Sequence, residues 1–235
     1  MNSRIHFIRH GEIERSQSSQ HTSFTDLPLS AHGEDEARDL KPRLRHIEFE
    51  HVLTSPRLRA RRTCELAGLG RAVTVEQDLA EWDYGEYERQ RSADIRKMRP
   101  GWDIFRDGCP YGETPEQVST RADRLIAHLR AMDGNIALFS HGQFGCVLAV
   151  RWIGLPLNAA QHFLLGTASL SILAYDPNHP EVSVIAMLNA ASHEICDPVP
   201  RRRDGNALAL KRRAIERWEN EGGEIPNLQP IQTKP

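Results

Sequence analysis

Arginine and histidine side chains stand where three predicted β-strands end. Arg9 and His10 close the first strand, Arg59 follows the second, and His141 comes directly after an apolar run late in the chain. A planar guanidinium stays charged at any working pH and binds a phosphate through two parallel hydrogen bonds. An imidazole acts as a nucleophile, an acid or a ligand near neutrality. These residue types therefore indicate a site for a phosphoryl group.

A carboxylic acid would complete such a site by protonating the oxygen that leaves. Glu81 is the candidate, because it lies in a segment rich in aromatic residues, where burial beside Trp82 or Tyr84 would raise its pKa. Gly11 directly follows His10 and lets the backbone turn sharply and come close to a ligand. The sequence contains no phosphate loop of the G-x-x-x-x-G-K-[ST] type, so nucleoside triphosphate chemistry is not indicated.

Two histidines raise the alternative of a metal site. His6 and His10 are four residues apart, which is the spacing of two zinc ligands on one helix face. The run that contains them is typical of a strand, and no third ligand is close in the sequence. We therefore predict a site that works without a metal and without any other cofactor, and a structural role for His6.

Hydrophobic periodicity and turn residues predict alternating strands and helices. The predicted strands are 4–9, 51–55, 71–76, 135–140, 168–176 and 181–188. The predicted helices are 31–47 with a kink at Pro42, a helix that Pro56 opens, 92–98, 114–132, 143–153 and 207–219. This alternation predicts an α/β fold, a three-layer α/β/α sandwich with a mostly parallel central sheet. Ligands bind such sheets at the carboxyl ends of the strands, where the arginines and histidines lie.

The composition is that of a soluble globular protein. The chain has 235 residues, of which 39% are hydrophobic and 26% are charged, and this length suits one well-filled α/β domain. The formal net charge of −2 argues against a protein that binds nucleic acid over its whole surface. An anion site must therefore be local.

The N-terminus and the cysteines favour the cytoplasm. The first residues lead directly into a strand with no signal-peptide core, and no apolar run approaches the ~18 residues of a membrane helix. The four cysteines are far apart and form no C-x-x-C pair, which favours reduced thiols. We expect a cytoplasmic protein that acts on neither membranes nor nucleic acids.

Four segments of the chain resemble a known family in both order and spacing. RHGE, SPRLRARRT, LAEWDYGEYE and LFSHGQ resemble the signature segments of the histidine phosphatase superfamily, which contains the cofactor-dependent phosphoglycerate mutases. TDLPLSAHGEDEA and GETPEQVSTRADRLI are also similar to that superfamily. The resemblance covers roughly residues 4–188, and four ordered segments are far more specific than a single R-H-G.

The resemblance implies a phosphoglycerate mutase-like fold and two parts of the chain. Residues 1–200 would be the histidine phosphatase domain. Residues 201–235 would be a C-terminal helix and a flexible tail, packed on the domain or extending from it. The basic clusters at 201–203 and 211–213 have glutamates nearby, so we interpret them as a solvated helix face.

The resemblance also implies a role for each candidate catalytic residue. His10 would be the nucleophile that becomes phosphohistidine. Arg9 and Arg59 would hold the phosphoryl oxygens, and His141 would bind the phosphoryl group and support its transfer. Glu81 would be the proton donor.

Further residues are expected to bind the substrate. The resemblance places Gly142 and the loop around Thr22 and Ser23 at the border of the pocket. We include Gly11, and also Ser16, which stands where the mutases have asparagine.

One segment favours a particular branch of the superfamily. GWDIFRDGCPYGET is similar to the sugar-bisphosphate phosphatase branch, which includes sedoheptulose-1,7-bisphosphatase. In that comparison Arg106 would supply a second phosphate contact, with a structural salt bridge as the alternative. Trp82 and Tyr84 would wall the sugar, with plain packing as the alternative. The mutases read RHGESxWN after the first strand, whereas this chain has Ile13 and Ser16 at the serine and asparagine positions, which disfavours a mutase.

The sequence thus predicts a metal-independent phosphatase that hydrolyses a small phosphorylated sugar, of which a bisphosphate is one case, through phosphohistidine. Two alternatives stay open. One is a phosphoglycerate mutase or a phosphatase of another small phosphorylated metabolite. The other is a non-catalytic module that binds a phosphorylated ligand. The expected partner is a small phosphorylated metabolite, and association into a homo-oligomer is left open.

Overall fold

A central sheet organises the part of the chain that the computed structural model describes, residues 4–14 and 20–191. Its strands are β1 (Arg4–Arg9), β2 (His51–Thr54), β3 (Thr74–Val75), β4 (Asn135–Ser140), β5 (Leu170–Tyr175) and β6 (Ser183–Ala190). Their order across the sheet is β3-β2-β4-β1-β5-β6. β3, β2, β4 and β1 are parallel to one another, and β5 is antiparallel to both β1 and β6. The prediction of a mostly parallel sheet is therefore confirmed.

Helices cover both faces of the sheet. They are α1 (Ala31–Asp39), α2 (Lys41–Leu44), α3 (Leu58–Leu66), α4 (Ser92–Met98), α5 (Ile104–Asp107), α6 (Pro115–Arg130) and α7 (Gly142–Trp152). Short 3₁₀ segments lie at Gln77–Leu79, Gly85–Tyr87 and Leu157–His162. Within the described residues no helix is long and apolar enough to cross a membrane.

The two faces of β4 show how the three layers form. Successive side chains of a strand point to opposite faces of its sheet. Ile136 and Leu138 pack into the cluster that contains the apolar stripe of α6 and most of α7. Ala137 and Phe139 pack into the opposite cluster, formed with α2 and α3. Because both faces of this central strand are buried, its sequence is almost continuously apolar.

Three predicted elements differ from the structure, and α5 was not predicted. The helix that Pro56 is predicted to open begins at Leu58, with Arg57 as its N-cap and Pro56 outside the helix. The helix predicted over 31–47 is divided at Leu40, which ends α1 and precedes α2. Pro42 lies in the first turn of α2, where its missing N–H would have no intrahelical acceptor. The strand predicted at 71–76 is reduced to the two residues of β3.

Several predictions fall on parts of the chain outside the described ranges. These are the helix at 207–219, the whole of 201–235 with its basic clusters, and Ser16.

Candidate active site

Three parallel strands bring the predicted residues to one edge of the sheet. β1 and β4 are hydrogen-bonded neighbours, and the chain just beyond β1 continues their pairing, since the His10 N–H donates to the carbonyl of Ser140 at 3.0 Å. The Ser55 N–H, just beyond β2, donates to the carbonyl of Phe139 at 2.8 Å. The residues that follow these strands therefore meet at one place, as the strand-end rule predicts.

His10 is oriented as a nucleophile. Its Nδ1 lies 2.7 Å from the carbonyl oxygen of Gly11. A carbonyl oxygen only accepts, so this geometry assigns the proton to Nδ1 and leaves the lone pair of Nε2 for a reaction. Burial lowers the pKa of His10 well below its usual value, and the positive charges of Arg59 and Arg9 lower it further. The ring is therefore neutral, which is the nucleophilic form.

His141 lies beside His10 at the start of α7. The two ring centroids are 5.2 Å apart, and Nε2 of His141 is 2.7 Å from Oγ of Ser55. Burial, followed by the charge of Arg59, lowers the pKa of His141 well below its usual value, so this ring is also neutral. Its Nδ1 is buried and has no hydrogen-bond partner within the described ranges. That nitrogen is available to a bound group.

Arg59 is completely buried and joins the catalytic histidines to the loop at 22–25. Its guanidinium donates to the carbonyls of Thr25 at 3.1 Å, Thr22 at 2.9 Å and Ser23 at 3.4 Å. The positive charge of Arg59 lowers the pKa of both histidines, and its hydrogen bonds hold the loop that borders the cavity. Ser23 anchors this loop from the other side, since its backbone N–H and Oγ both donate to Glu88, at 2.9 and 2.8 Å.

Arg9 lines the cavity next to His10, and its guanidinium donates to the carbonyl of Leu165. Gly142 makes room for this guanidinium. A Cβ atom at position 142 would lie 3.1 Å from Cζ of Arg9, which is tighter than ordinary van der Waals contact. The glycine after His141 therefore has a packing role toward the guanidinium of Arg9.

Glu81 is tied to the first turn of α7. Its Oε1 accepts hydrogen bonds from the backbone N–H of Trp82 at 2.9 Å and of Phe144 at 2.8 Å, and Oε2 accepts one from Gln143 at 3.2 Å. These bonds and the charge of Arg59 favour the ionised form, but burial outweighs them and raises the pKa of Glu81. The carboxyl group is therefore protonated to a higher pH than an exposed glutamate, as a proton donor requires.

An open cavity connects Arg9, His10 and Glu81. It is lined by Arg9, His10, Ile13, Gln20, His21, Thr22, Glu81, Tyr84, Gly142 and Gln143. The structure thus brings six of the predicted site residues to one cavity, with Arg59 and His141 beside it. Four lining residues were not predicted. Two of these, Gln20 and His21, directly precede the predicted Thr22, and Gln143 follows the H-G pair, so their positions in the sequence were the available signal.

Four of the described residues predicted to bind substrate do not line the cavity: Gly11, Ser23, Trp82 and Arg106. Trp82 is fully buried in the core, and its indole N–H donates to the carbonyl of Glu113 at 3.0 Å. Arg106 is 63% exposed and pairs with Asp107 at 2.9 Å. Gly11 serves packing, because a Cβ there would lie 2.3 Å from the carbonyl oxygen of Gly33 in α1. These three residues and Ser23, whose backbone N–H and Oγ are bonded to Glu88, do not line the cavity, and their roles in substrate binding stay predictions.

Known proteins are similar to this chain over most of its length. The family model of the histidine phosphatase superfamily (branch 1) matches residues 5–187. The chain is 36% identical over 190 residues to an acid phosphatase of Mycobacterium tuberculosis, covering 79% of this chain and 93% of that protein. It is 36% identical over 180 residues to sedoheptulose 1,7-bisphosphatase of Saccharomyces cerevisiae, covering 63% and 66%.

A solved structure has the same fold. An open reading frame product of Mycobacterium tuberculosis superimposes with a TM-score of 0.77 at 36% identity, covering 82% of this chain and all of that one. The family model spans most of the chain and includes every residue of the catalytic cavity. The chain therefore belongs to the histidine phosphatase superfamily, in branch 1.

Proposed function

We propose that this protein is a metal-independent phosphatase that hydrolyses a small phosphorylated sugar through a phosphohistidine formed at Nε2 of His10. Membership in the superfamily makes the chain a phosphomonoesterase. One observation carries the mechanism: a neutral histidine with its Nε2 lone pair unused stands beside Arg9 and Arg59, in the same cavity as a carboxyl group with a raised pKa.

In the first step the nitrogen of His10 attacks phosphorus in line with the bond to the sugar oxygen. The N–P bond forms as the P–O bond breaks, and Glu81 gives its proton to the departing oxygen. Arg9 and Arg59 balance the charge on the equatorial oxygens. Phosphorylation makes the imidazole ring cationic, and the hydrogen bond from Nδ1 to the carbonyl of Gly11 stabilises that cation.

In the second step water attacks the phosphohistidine. Glu81, now ionised, takes a proton from this water while the O–P bond forms and the N–P bond breaks. Inorganic phosphate leaves, and His10 returns to its neutral form with Glu81 protonated. The burial that raises the pKa of Glu81 therefore suits it to act as the acid in one step and the base in the other.

A sugar phosphate is the substrate class that the site and the relatives support together. One relative is a sedoheptulose 1,7-bisphosphatase, and the cavity wall contains hydrogen-bonding side chains such as Gln20, Thr22 and Gln143. An acid phosphatase at the same identity and mutase-like relatives at 29% identity support the alternative of another small phosphorylated metabolite.

Phosphate release from a substrate panel tests this proposal. The panel holds sedoheptulose 1,7-bisphosphate, fructose 1,6-bisphosphate, several sugar monophosphates, 3-phosphoglycerate and p-nitrophenyl phosphate, each with and without EDTA. We expect the highest kcat/KM for a sugar phosphate and no effect of EDTA. Activity that disappears with EDTA would contradict the mechanism, and a preference for 3-phosphoglycerate would contradict the substrate class. Tight binding without turnover would favour the non-catalytic module.

Replacement of Glu81 tests proton donation separately from binding. For Glu81→Gln we expect kcat/KM on a sugar phosphate to fall by about 10²–10⁴-fold. The loss on p-nitrophenyl phosphate should be much smaller, because p-nitrophenolate is a good leaving group and needs little protonation. In the wild type, kcat/KM for the sugar phosphate should decrease as the pH rises through the raised pKa of Glu81, since only the protonated acid is competent. In Glu81→Gln, kcat/KM should not show this decrease with rising pH.

Glu86→Gln is the matched control, because Glu86 is exposed and does not line the cavity. It should retain the wild-type pH profile. Equal losses on the two substrates with Glu81→Gln would assign Glu81 to structure rather than to proton transfer.

A further inference from the structure

His21 is a cavity residue whose position is fixed by its backbone. Its N–H donates to the carbonyl of Gln90 at 2.9 Å, and its own carbonyl accepts from the N–H of Arg89 at 2.7 Å. The residue is only 3% exposed, yet it lines the cavity directly before Thr22. A side chain held in this way at the wall of a cavity is preorganised for a ligand.

The imidazole of His21 is held by its neighbours at one nitrogen and on one face. Nε2 lies 3.0 Å from Oγ of Ser92. The ring packs against Tyr84, with centroids 4.5 Å apart and an interplanar angle of 31°, and the edge of Trp102 lies 6.0 Å away. Among the described residues nothing forms a hydrogen bond with Nδ1. The ring is therefore immobilised with one nitrogen left for a ligand.

The neutral state of the His21 ring favours a hydroxyl group over a phosphate as its ligand. Burial lowers the pKa of His21 to about 4; the charge of Glu88 opposes this shift and that of Arg96 adds to it. The imidazole is neutral near pH 7, so it attracts a phosphate dianion weakly. A neutral imidazole nitrogen pairs well with a hydroxyl group, which both donates and accepts hydrogen bonds.

The cavity wall around His21 is also uncharged and able to form hydrogen bonds. Gln20, Thr22 and Gln143 are uncharged hydrogen-bonding residues that line the cavity with His21. Nε2 of Gln143 is buried and has no partner within the described part of the chain. Buried polar groups left without partners favour a ligand that satisfies them. A polyhydroxylated alcohol matches such a wall better than a second phosphate or an apolar group.

We infer that His21 is a specificity-determining residue that pairs Nδ1 with a hydroxyl group of the departing sugar, so that the cavity selects polyhydroxylated alkyl phosphates. The inference rests on the proposed function, since it concerns the leaving group of the same reaction. The physical basis of the selectivity is that a ligand without hydroxyl groups displaces water from Nδ1 of His21 and leaves this nitrogen and the buried Gln143 amide without hydrogen-bond partners.

The test is a specificity ratio. For wild type, His21→Phe and His21→Asn, kcat/KM is measured on the preferred sugar phosphate of the panel and on p-nitrophenyl phosphate, whose leaving group has no alkyl hydroxyls. Phenylalanine keeps the ring that packs on Tyr84 but removes both nitrogens. We expect the ratio to fall roughly 10- to 100-fold in His21→Phe. His21→Asn places an amide near the position of Nδ1, so its specificity ratio should lie between those of His21→Phe and the wild type.

His179→Phe is the matched control, because His179 is exposed in the turn between β5 and β6 and outside the cavity. Its ratio should equal that of the wild type. An unchanged ratio in His21→Phe, or equal losses on both substrates, would overturn the inference while the proposed function stands. Wild-type protein that hydrolyses p-nitrophenyl phosphate but no sugar phosphate would overturn both. Thermal unfolding of each variant separates a lost contact from a lost fold.

Discussion

His10→Ala is expected to lower kcat/KM on every phosphomonoester by about 10⁴-fold or more, because the proposed nucleophile of the two-step route is lost. His141 is the nearest histidine, but its Nε2 is already bonded to Ser55 at 2.7 Å. Loss of the nucleophile therefore removes the two-step route altogether. The measurement is steady-state phosphate release on p-nitrophenyl phosphate and on the preferred sugar phosphate.

A direct observation of the intermediate accompanies this prediction. Wild-type protein mixed with substrate and quenched in alkali should contain phosphohistidine, which is stable to base and labile to acid, and His10→Ala should contain none. His46→Ala is the matched control, because His46 is an exposed histidine far from the cavity. A His10→Ala protein that keeps a tenth of the activity would contradict covalent catalysis at this residue.

Arg59→Gln is expected to have two measurable effects that arise from one charge. Kcat/KM should fall by about 10²–10³-fold, because a preorganised donor to the phosphoryl oxygens is lost. The pKa of His10 should rise part of the way toward its usual value, because after burial the charge of Arg59 is the largest cause that lowers it. Its cationic form, which is not a nucleophile, will then persist to higher pH. The acid limb of the kcat/KM profile should therefore move to higher pH in the variant.

Two further variants separate charge from architecture. Arg59→Lys keeps a positive charge but cannot donate to the three loop carbonyls that the guanidinium reaches. We expect its His10 pKa to stay low while KM rises through a loosened loop. Arg61→Gln, an exposed position on the same helix α3, should behave as wild type. NMR titration of the His10 ring gives the pKa, and an unshifted value in Arg59→Gln would refute the electrostatic coupling.

The meeting of the candidate catalytic residues at one edge of the sheet could be predicted because Arg9, His10 and His141 combine a distinctive residue type with a place at a strand end. An apolar run that stops at Arg9-His10, and another that stops at His141, place these side chains at the same edge once the strands are parallel. The pairing of these strands is then sufficient to bring Arg9, His10 and His141 close together. Glu81 was predictable for a related reason, since its aromatic neighbours indicated the burial that raises its pKa.

The substrate contacts were harder to predict because they depend on which side of a loop faces inward. Trp82 and Tyr84 are two residues apart in the same irregular segment, yet Trp82 packs into the core and Tyr84 lines the cavity. Irregular backbone has no fixed period from which side-chain direction can be read. The direction of the Arg106 side chain was equally hard to predict. A motif indicated this residue as a substrate contact, but its guanidinium pairs with Asp107 on the surface.

The amino-acid sequence thus establishes the layered α/β fold, the order of its strands along the chain and the chemistry at their carboxyl ends. These follow from local periodicity and from residue type, which are properties of short segments. The tertiary structure establishes that Gly11 packs against Gly33, that Arg59 holds the 22–25 loop, and that His21 faces the cavity. Each of these facts depends on distances between segments far apart in the chain, and such distances exist only when the core has packed.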